Sequence, residues 1–293
     1  MTASDWAPPL VRPEDLERLT EHVHVIPDGS VPGVPNVGIV VGSRAVLIID
    51  TGIGARNGRR VLDVVTSIAP GRPQRLMTTH VHPEHDLGAG AFPADTVMLR
   101  ARSQVAEIAA EGLRVAADFR GRSSDYADLL EGAAFRDADI VFDDALELDL
   151  GGVHVRLRSM GANHTPGDTV AHVVEDAVLF SGDIAMSPPP AFASPRSSMR
   201  QWVRSLDVLE EMSARIIVPS HGPVGGDELI DGYRLYFRDV HRRASAARAA
   251  GRTVEEAVAE IIDALLPHYP DAGRIAGAVR VSCAEIQENT DDE

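Results

Sequence analysis

Over the first fifty residues, apolar positions come in short runs separated by glycine and polar pairs, the pattern of strands joined by tight turns. Residues 22–27, 37–41 and 45–49 predict three strands, the last two forming a hairpin about Gly42-Ser43-Arg44. The period then lengthens. Across residues 56–68, Val61, Leu62, Val65 and Ile68 share one helical face, and Pro70-Gly71 stops the element. Residues 76–79 predict a strand that opens onto a histidine-rich loop, and a helix over 103–119 follows. The polar stretch through Asp137 has no periodicity that assigns it. Further along, 146–157 predicts a hairpin about Gly151-Gly152, and 169–174 pairs with 177–180 about Glu175-Asp176. A helix over 199–212 leads to a strand at 216–218. Beyond Gly226 the spacing is helical over 229–250 and 254–266, with Thr253 and Glu256 placed as a capping box. The acidic end, 285–293, is expected to fray.

The loop after the strand at 76–79 carries the chemistry. In Thr79-His80-Val81-His82-Pro83-Glu84-His85, three imidazoles and a carboxylate follow an apolar run. Residues two apart on an extended chain point the same way, so His80 and His82 can grip one ion together. The following turn swings Glu84 and His85 toward a neighbouring position, so one loop can serve two metals. Neutral imidazole and carboxylate are donors that zinc and non-haem iron accept. The plain alternative is a polar surface loop that happens to hold histidines. Three later segments weigh against it. Asn163-His164-Thr165-Pro166-Gly167-Asp168, Phe180-Ser181-Gly182-Asp183 and Val218-Pro219-Ser220-His221 each put a ligand-type residue at or near the end of a predicted strand. Such loops are where α/β architectures gather their sites.

From about Val23 to about Gly225 the chain resembles the metallo-β-lactamase superfamily of metallohydrolases. The family pattern is a His-x-His-x-Asp-His loop followed by His, Asp and His on three later loops. The resemblance implies an α/β fold, a four-layer αββα sandwich whose two similar halves face each other. It implies that His80, His82 and His164 hold one metal, that Glu84, His85 and His221 hold a second, and that Asp183 bridges the two. It gives Asp50, in Ile48-Ile49-Asp50-Thr51-Gly52, the task of supporting the ligand loop by hydrogen bonds; on its own, Asp50 also fits a simple strand-to-helix turn. One position departs, since Glu84 stands where the family has Asp. Its carboxylate reaches about 1 Å further or folds back, and misplacements of that size matter to catalysis. The second site is therefore expected to be weaker or to select another metal. The expected cofactor is zinc, two ions per chain, with iron or manganese as alternatives at the second site. The remaining histidines, His22, His24, His154, His172, His241 and His268, are expected to be structural or solvent-facing. Residues 1–293 are expected to form one domain, with its core over 20–225 and a helical segment over 226–270 packed on it.

Composition narrows the function classes. The net charge is −16, with 44 acidic against 28 basic residues, which argues against a nucleic-acid groove because phosphate binding relies on Lys and Arg. Lysine is absent, so every fixed side-chain cation is arginine. That removes Schiff-base chemistry and any lysine anchor for a substrate carboxylate. The single cysteine, Cys283, forms no internal disulfide and is compatible with a reducing compartment. The N-terminus, Met1 to Trp6, lacks the pattern of a secretory leader, and no apolar run reaches membrane-spanning length. A soluble, cytoplasmic protein without a membrane partner is expected, with a homodimer open.

The expected activity is zinc-dependent, dinuclear hydrolysis of a small ester, thioester, lactone or lactam. A hydroxide formed between the metals would attack the carbonyl, with Glu84 and Asp183 as the catalytic carboxylates. A true β-lactamase fits less well, because Asp183 occupies a bridging position that those enzymes fill otherwise and no lysine is available. Two other classes stay open. Persulfide dioxygenases resemble this pattern and hold one iron by two His and one carboxylate; a third possibility is a member that binds ligand without catalysis. Substrate choice is assigned to residues 27–36 and 186–200, the latter containing Pro188-Pro189-Pro190. Phe192 and Trp202 are candidates for an apolar wall, and Arg196 or Arg200 for receiving an anionic group, with ordinary surface or packing as the alternative for each.

Overall fold

The computed structural model describes residues 8–187, 189 and 192–291. Its first sheet contains β1 (Glu17–Arg18), β2 (Val23–Ile26), β3 (Val37–Val41), β4 (Val46–Ile49), β5 (Gln74–Met77), β6 (Val97–Ala101) and β7 (Ile140–Phe142), in that spatial order. β1 to β4 pair antiparallel, with β2 and β3 joined by the loop 27–36. β4 to β7 pair parallel, which requires crossovers. These are α1 (Gly54–Ile68), α2 (Pro83–Asp86), and then α3 (Arg102–Arg120) with α4 (Ser124–Leu129). The second sheet contains β8 (Ala145–Asp149), β9 (His154–Gly161), β10 (Asp168–Val173) and β11 (Val178–Gly182), paired antiparallel, with β12 (Ile216–Pro219) parallel to β11 across α5 (Met199–Glu211). Helices α6 (Glu228–Ala249), α7 (Val254–Leu265) and α8 (Ala272–Asp291) complete the described chain.

Strand alternation decides what each face buries. In β4, Leu47 and Ile49 enter the layer between the sheets with Met77, Leu99, Leu157 and Phe180, whereas Val46 and Ile48 pack outward with Val61 and Val65 of α1. Leu179 and Ile217, on the outer face of the second sheet, pack with Trp202, Tyr233, Phe237 and Ile261 from the helices beyond. The layers run helix, sheet, sheet, helix. Gly38 marks one point where the sheets come closest, because a Cβ there would lie 2.3 Å from the Phe180 ring.

Several expectations need correction. The chain leaves the first sheet after Met77, two residues earlier than the apolar run suggests. The unassigned stretch contains α4, which Ser123 caps by accepting a hydrogen bond from the Tyr126 N–H at 3.3 Å. Residues 272–291 form α8, a helix that the spacing did not predict and that takes in the start of the acidic end. Ile275 and Val279 of that helix are buried, and the Glu285 carboxylate accepts from Ser198 Oγ at 2.7 Å, tying the helix to the start of α5. The N-terminal leader reading and residues 292–293 fall outside the described residues. Among the described residues, no helix is long and apolar enough to cross a membrane.

Candidate metal centre

Five strands deliver the site from their C-terminal ends. Asp50 follows β4, the 80–85 loop follows β5, His164 follows β9, Asp183 follows β11 and His221 follows β12. Pro83 opens α2 with His82 as its N-cap, a position where a missing N–H costs nothing. That single turn presents Glu84 and His85 from the same loop as His80 and His82.

Three sets of donor atoms converge, each within 4.8 Å of one another: His80 with His82 and His164; His80 with His85 and Asp183; and Glu84 with His85 and His221. His82 Nδ1 lies 3.1 Å from His80 Nε2 and 3.0 Å from His164 Nε2. Asp183 Oδ2 lies 3.4 Å from His164 Nε2, and Glu84 Oε1 lies 4.0 Å from His85 Nε2. The Glu84 carboxylate thus stays with its group despite the longer side chain.

The outer ring nitrogens fix the tautomers. His164 Nδ1 donates to the Phe192 carbonyl at 2.7 Å and His221 Nδ1 to the Val34 carbonyl at 3.0 Å. His85 Nδ1 donates to Asp50 Oδ2 at 2.9 Å. Thr79 Oγ1 uses its proton on Asp50 Oδ2 at 3.0 Å, so it accepts from His80 Nδ1 at 3.1 Å. In all four rings an outer partner holds Nδ1 and Nε2 faces inward, the arrangement that metal-binding histidines adopt. With His80 and His164 both offering lone pairs to His82 Nδ1, at most one of those contacts is a hydrogen bond. Among the described residues, Glu84 Oε2, His85 Nε2 and Asp183 Oδ1 are buried without any hydrogen-bond partner. Buried polar atoms are rarely left so. A tetrahedral zinc ion about 2.0–2.1 Å from each nitrogen would space them by about 3.3 Å, close to what His80, His82 and His164 show. The donor set fits divalent metal.

Charge differs across the cluster. Burial, then the neighbouring imidazoles, push His80 and His82 well below the usual histidine pKa, and burial also lowers His164. These rings are neutral, the form that binds metal. Burial opposes a charge on His85 as well, but the Asp50, Glu84 and Asp183 carboxylates outweigh it and raise its pKa to about 9. Burial raises Glu84, with His85 and His221 opposing. For Asp183 burial again opposes ionisation, yet His164, His221 and His85 prevail and hold the carboxyl below its ordinary range.

Asp50 sits behind the ligand loop, as expected from the sequence. Its Oδ1 accepts from the Thr79 N–H at 2.7 Å while Oδ2 takes His85 and Thr79 Oγ1. It does so from a left-handed backbone conformation, φ 65°, that non-glycine residues seldom adopt. Asp168, which the motif did not single out, plays a comparable part behind His164, accepting from the His164 N–H at 2.7 Å and from Thr165 Oγ1 at 2.7 Å. The remaining histidines stay out of the three donor sets; His22 and His154 pair with Asp176 and Glu175.

The expected pocket walls hold only in part. Phe192 is half exposed and lines a cavity of about 450 Å³ with His82, His164, Phe119 and Arg122. Trp202 is completely buried and donates to the Ile184 carbonyl at 2.8 Å, so it is core. Arg196 faces Glu107 and Glu111 at 3.4 and 3.8 Å, and Arg200 faces Glu285 at 3.7 Å, which engages both in ion pairs. Residues 30–33 line a second cavity of about 500 Å³ with Glu84, His221 and Met186. Pro188 and Pro190 lie outside the described residues.

The sequence profile of the metallo-beta-lactamase superfamily matches residues 30–221, and the chain belongs to that superfamily. The protein is similar to a linear primary-alkylsulfatase from Pseudomonas sp., with 25% identity over 280 residues covering 82% of this chain and 52% of the relative. Among solved structures it resembles a sec-alkylsulfatase from Pseudomonas sp., with a TM-score of 0.69 and 17% identity over 92% of this chain and 50% of that one. A beta-lactamase domain protein from Burkholderia ambifaria superposes with a TM-score of 0.71 and 19% identity, over 99% of this chain and 91% of that one. The chain spans about half the length of the alkylsulfatases it matches.

Proposed function

We propose that the protein is a metal-dependent hydrolase cleaving an ester-type bond in a small substrate. His80, His82 and His164 hold one ion, Glu84, His85 and His221 a second, and Asp183 serves both; zinc suits the nitrogen-rich set. The observation that carries this reading is the convergence of buried, partnerless donors, Glu84 Oε2, His85 Nε2 and Asp183 Oδ1, on one space. When bound, divalent ions there would supply Lewis acidity and a nucleophile at neutral pH. The chain supplies the rest. Asp183 Oδ1 and Glu84 Oε2 are the acceptors available for the proton of an attacking water. Asp50 fixes His85, and the Phe192 and Val34 carbonyls fix His164 and His221, so the donors need little rearrangement as charge develops.

Candidate substrates are small esters, thioesters, lactones and lactams, and the likeness to a linear primary-alkylsulfatase adds sulfate esters. The second donor group, Glu84 with His85 and His221, favours a two-ion hydrolase over a single-iron oxygenase. Zinc-loaded protein is expected to turn over at least one member of a panel of these five substrate classes, with activity falling to background in His80→Ala. A panel that stays silent with two equivalents of zinc bound would overturn the hydrolase reading.

A further inference from the structure

The two cavities described above meet at Arg122. This residue joins α3 to α4, and it lines both the cavity at His82 and His164 and the cavity at Glu84 and His221. Its guanidinium carbon lies 3.3 Å from the centre of the Phe119 ring, a stacked placement that limits its freedom. Among the described residues, no carboxylate lies within ion-pair distance of it, unlike Arg196 and Arg200. Arg274 of α8 also lines the second cavity, with Met186 and His221, while its Nε pairs with Asp271 at 3.3 Å. Arg274 lies beyond the span matched by the family profile. Of the other acids on that wall, Asp28 accepts from the Gly222 and Ser30 N–H groups.

We infer that Arg122 and Arg274 form a two-armed receptor for an oxyanion, and that the substrate is an ester carrying a fixed negative charge, as a sulfate or a carboxylate. The chain has a net charge of −16 and no lysine, so two arginines converging on the mouth of the site stand out against its general acidity. The planar guanidinium fork matches both kinds of oxyanion. Substrate anions would be drawn to that mouth in preference to the surrounding surface. The inference rests on the hydrolase reading for the chemistry after binding, although the receptor stands on its own geometry.

Calorimetric titration of zinc-loaded protein with hexane-1-sulfonate, hexanoate and hexan-1-ol tests it. At least one anion should bind, and the ratio of its affinity to that of the alcohol should fall about tenfold in Arg122→Gln and again in the double variant with Arg274→Gln. Preference for the sulfonate would indicate a sulfate ester, and preference for hexanoate a carboxylate-bearing ester. No anion binding by the parent protein, or an unchanged ratio in both variants, would overturn the receptor. A fallen ratio beside silent turnover would leave the receptor standing and remove the hydrolase reading instead.

Discussion

The group formed by His80, His82 and His164 and the group formed by Glu84, His85 and His221 share one loop and a common depth, yet they manage charge in opposite ways. In the first, burial and mutual repulsion keep three imidazoles neutral, and two outer nitrogens rest on uncharged oxygens of Thr79 and Phe192. In the second, the Asp50 carboxylate sits directly behind His85 with Glu84 in front, and these carboxylates raise the pKa of the ring to about 9 against its burial. The first group is a ready-made neutral donor set. The second is a carboxylate-rich set whose charges favour a proton on His85, and metal binding there competes with that proton. The two halves of the centre should therefore respond differently to the same insult.

Asp50→Asn tests that contrast most severely. Asparagine tolerates the left-handed backbone at this position but removes the charge behind His85. Chelator-competition titration should show the Glu84, His85 and His221 site losing about 10–100-fold in metal affinity, with the all-histidine site little changed. Equal losses at both would erase the distinction. Glu84→Asp should act in the other direction, restoring the shorter carboxylate of the family pattern and tightening the second ion by about tenfold. Metal analysis of protein purified without chelator, beside this variant, provides the check, and two equivalents bound with equal affinity in both proteins would count against it.

The smallest effect lies behind the first group. Glu107 is buried, accepts from the Gly167 N–H at 2.9 Å, and has its pKa raised by burial from 4.5 to about 6, with Arg196 opposing. The folded state therefore holds the extra proton more tightly than the unfolded chain. Its contribution to stability is complete below about pH 4.5 and is lost as pH rises through 6. In urea denaturation, the stability of the parent minus that of Glu107→Gln should fall by about 1 kcal/mol between pH 4.5 and 7.5; a flat difference would show that Glu107 ionises freely in the folded protein.

How much of this was legible depends on whether the signal was local. The donors were legible because each sits at the end of an apolar run, where a histidine or an aspartate has few structural reasons to be. Strand β6 was not: it passes into α3 between Ala101 and Arg102 with no turn residue to mark the change, and Arg100 looks too polar for an interior strand. Arg100 is buried because Asp86, fourteen residues earlier, receives its guanidinium at 2.8 Å, together with the Arg136 carbonyl and Thr78 Oγ1. Helix α8 was hidden for a related reason, since its acidic tail looks solvent-bound until Glu285 is seen against Ser198. The arginines show the limit most plainly. Arg196 and Arg200 lie in the expected loop and face carboxylates, whereas Arg122 and Arg274 come from segments with no motif and are brought to one cavity only by tertiary folding.

Besides its pairing with β11, the loop that ends in His221 is held by residues near the beginning of the chain. Asn36 donates to the Pro219 and Gly222 carbonyls at 2.8 Å each, its N–H reaches the Ser220 carbonyl at 2.6 Å, and the Val34 carbonyl receives the His221 ring. During synthesis the early strands must wait for a partner that emerges far later. At about 5–20 residues per second, the 136 positions separating His85 from His221 take roughly 7–27 s to translate. The second donor group, which needs His221, is therefore completed only after that interval, when β12 has docked beside β11.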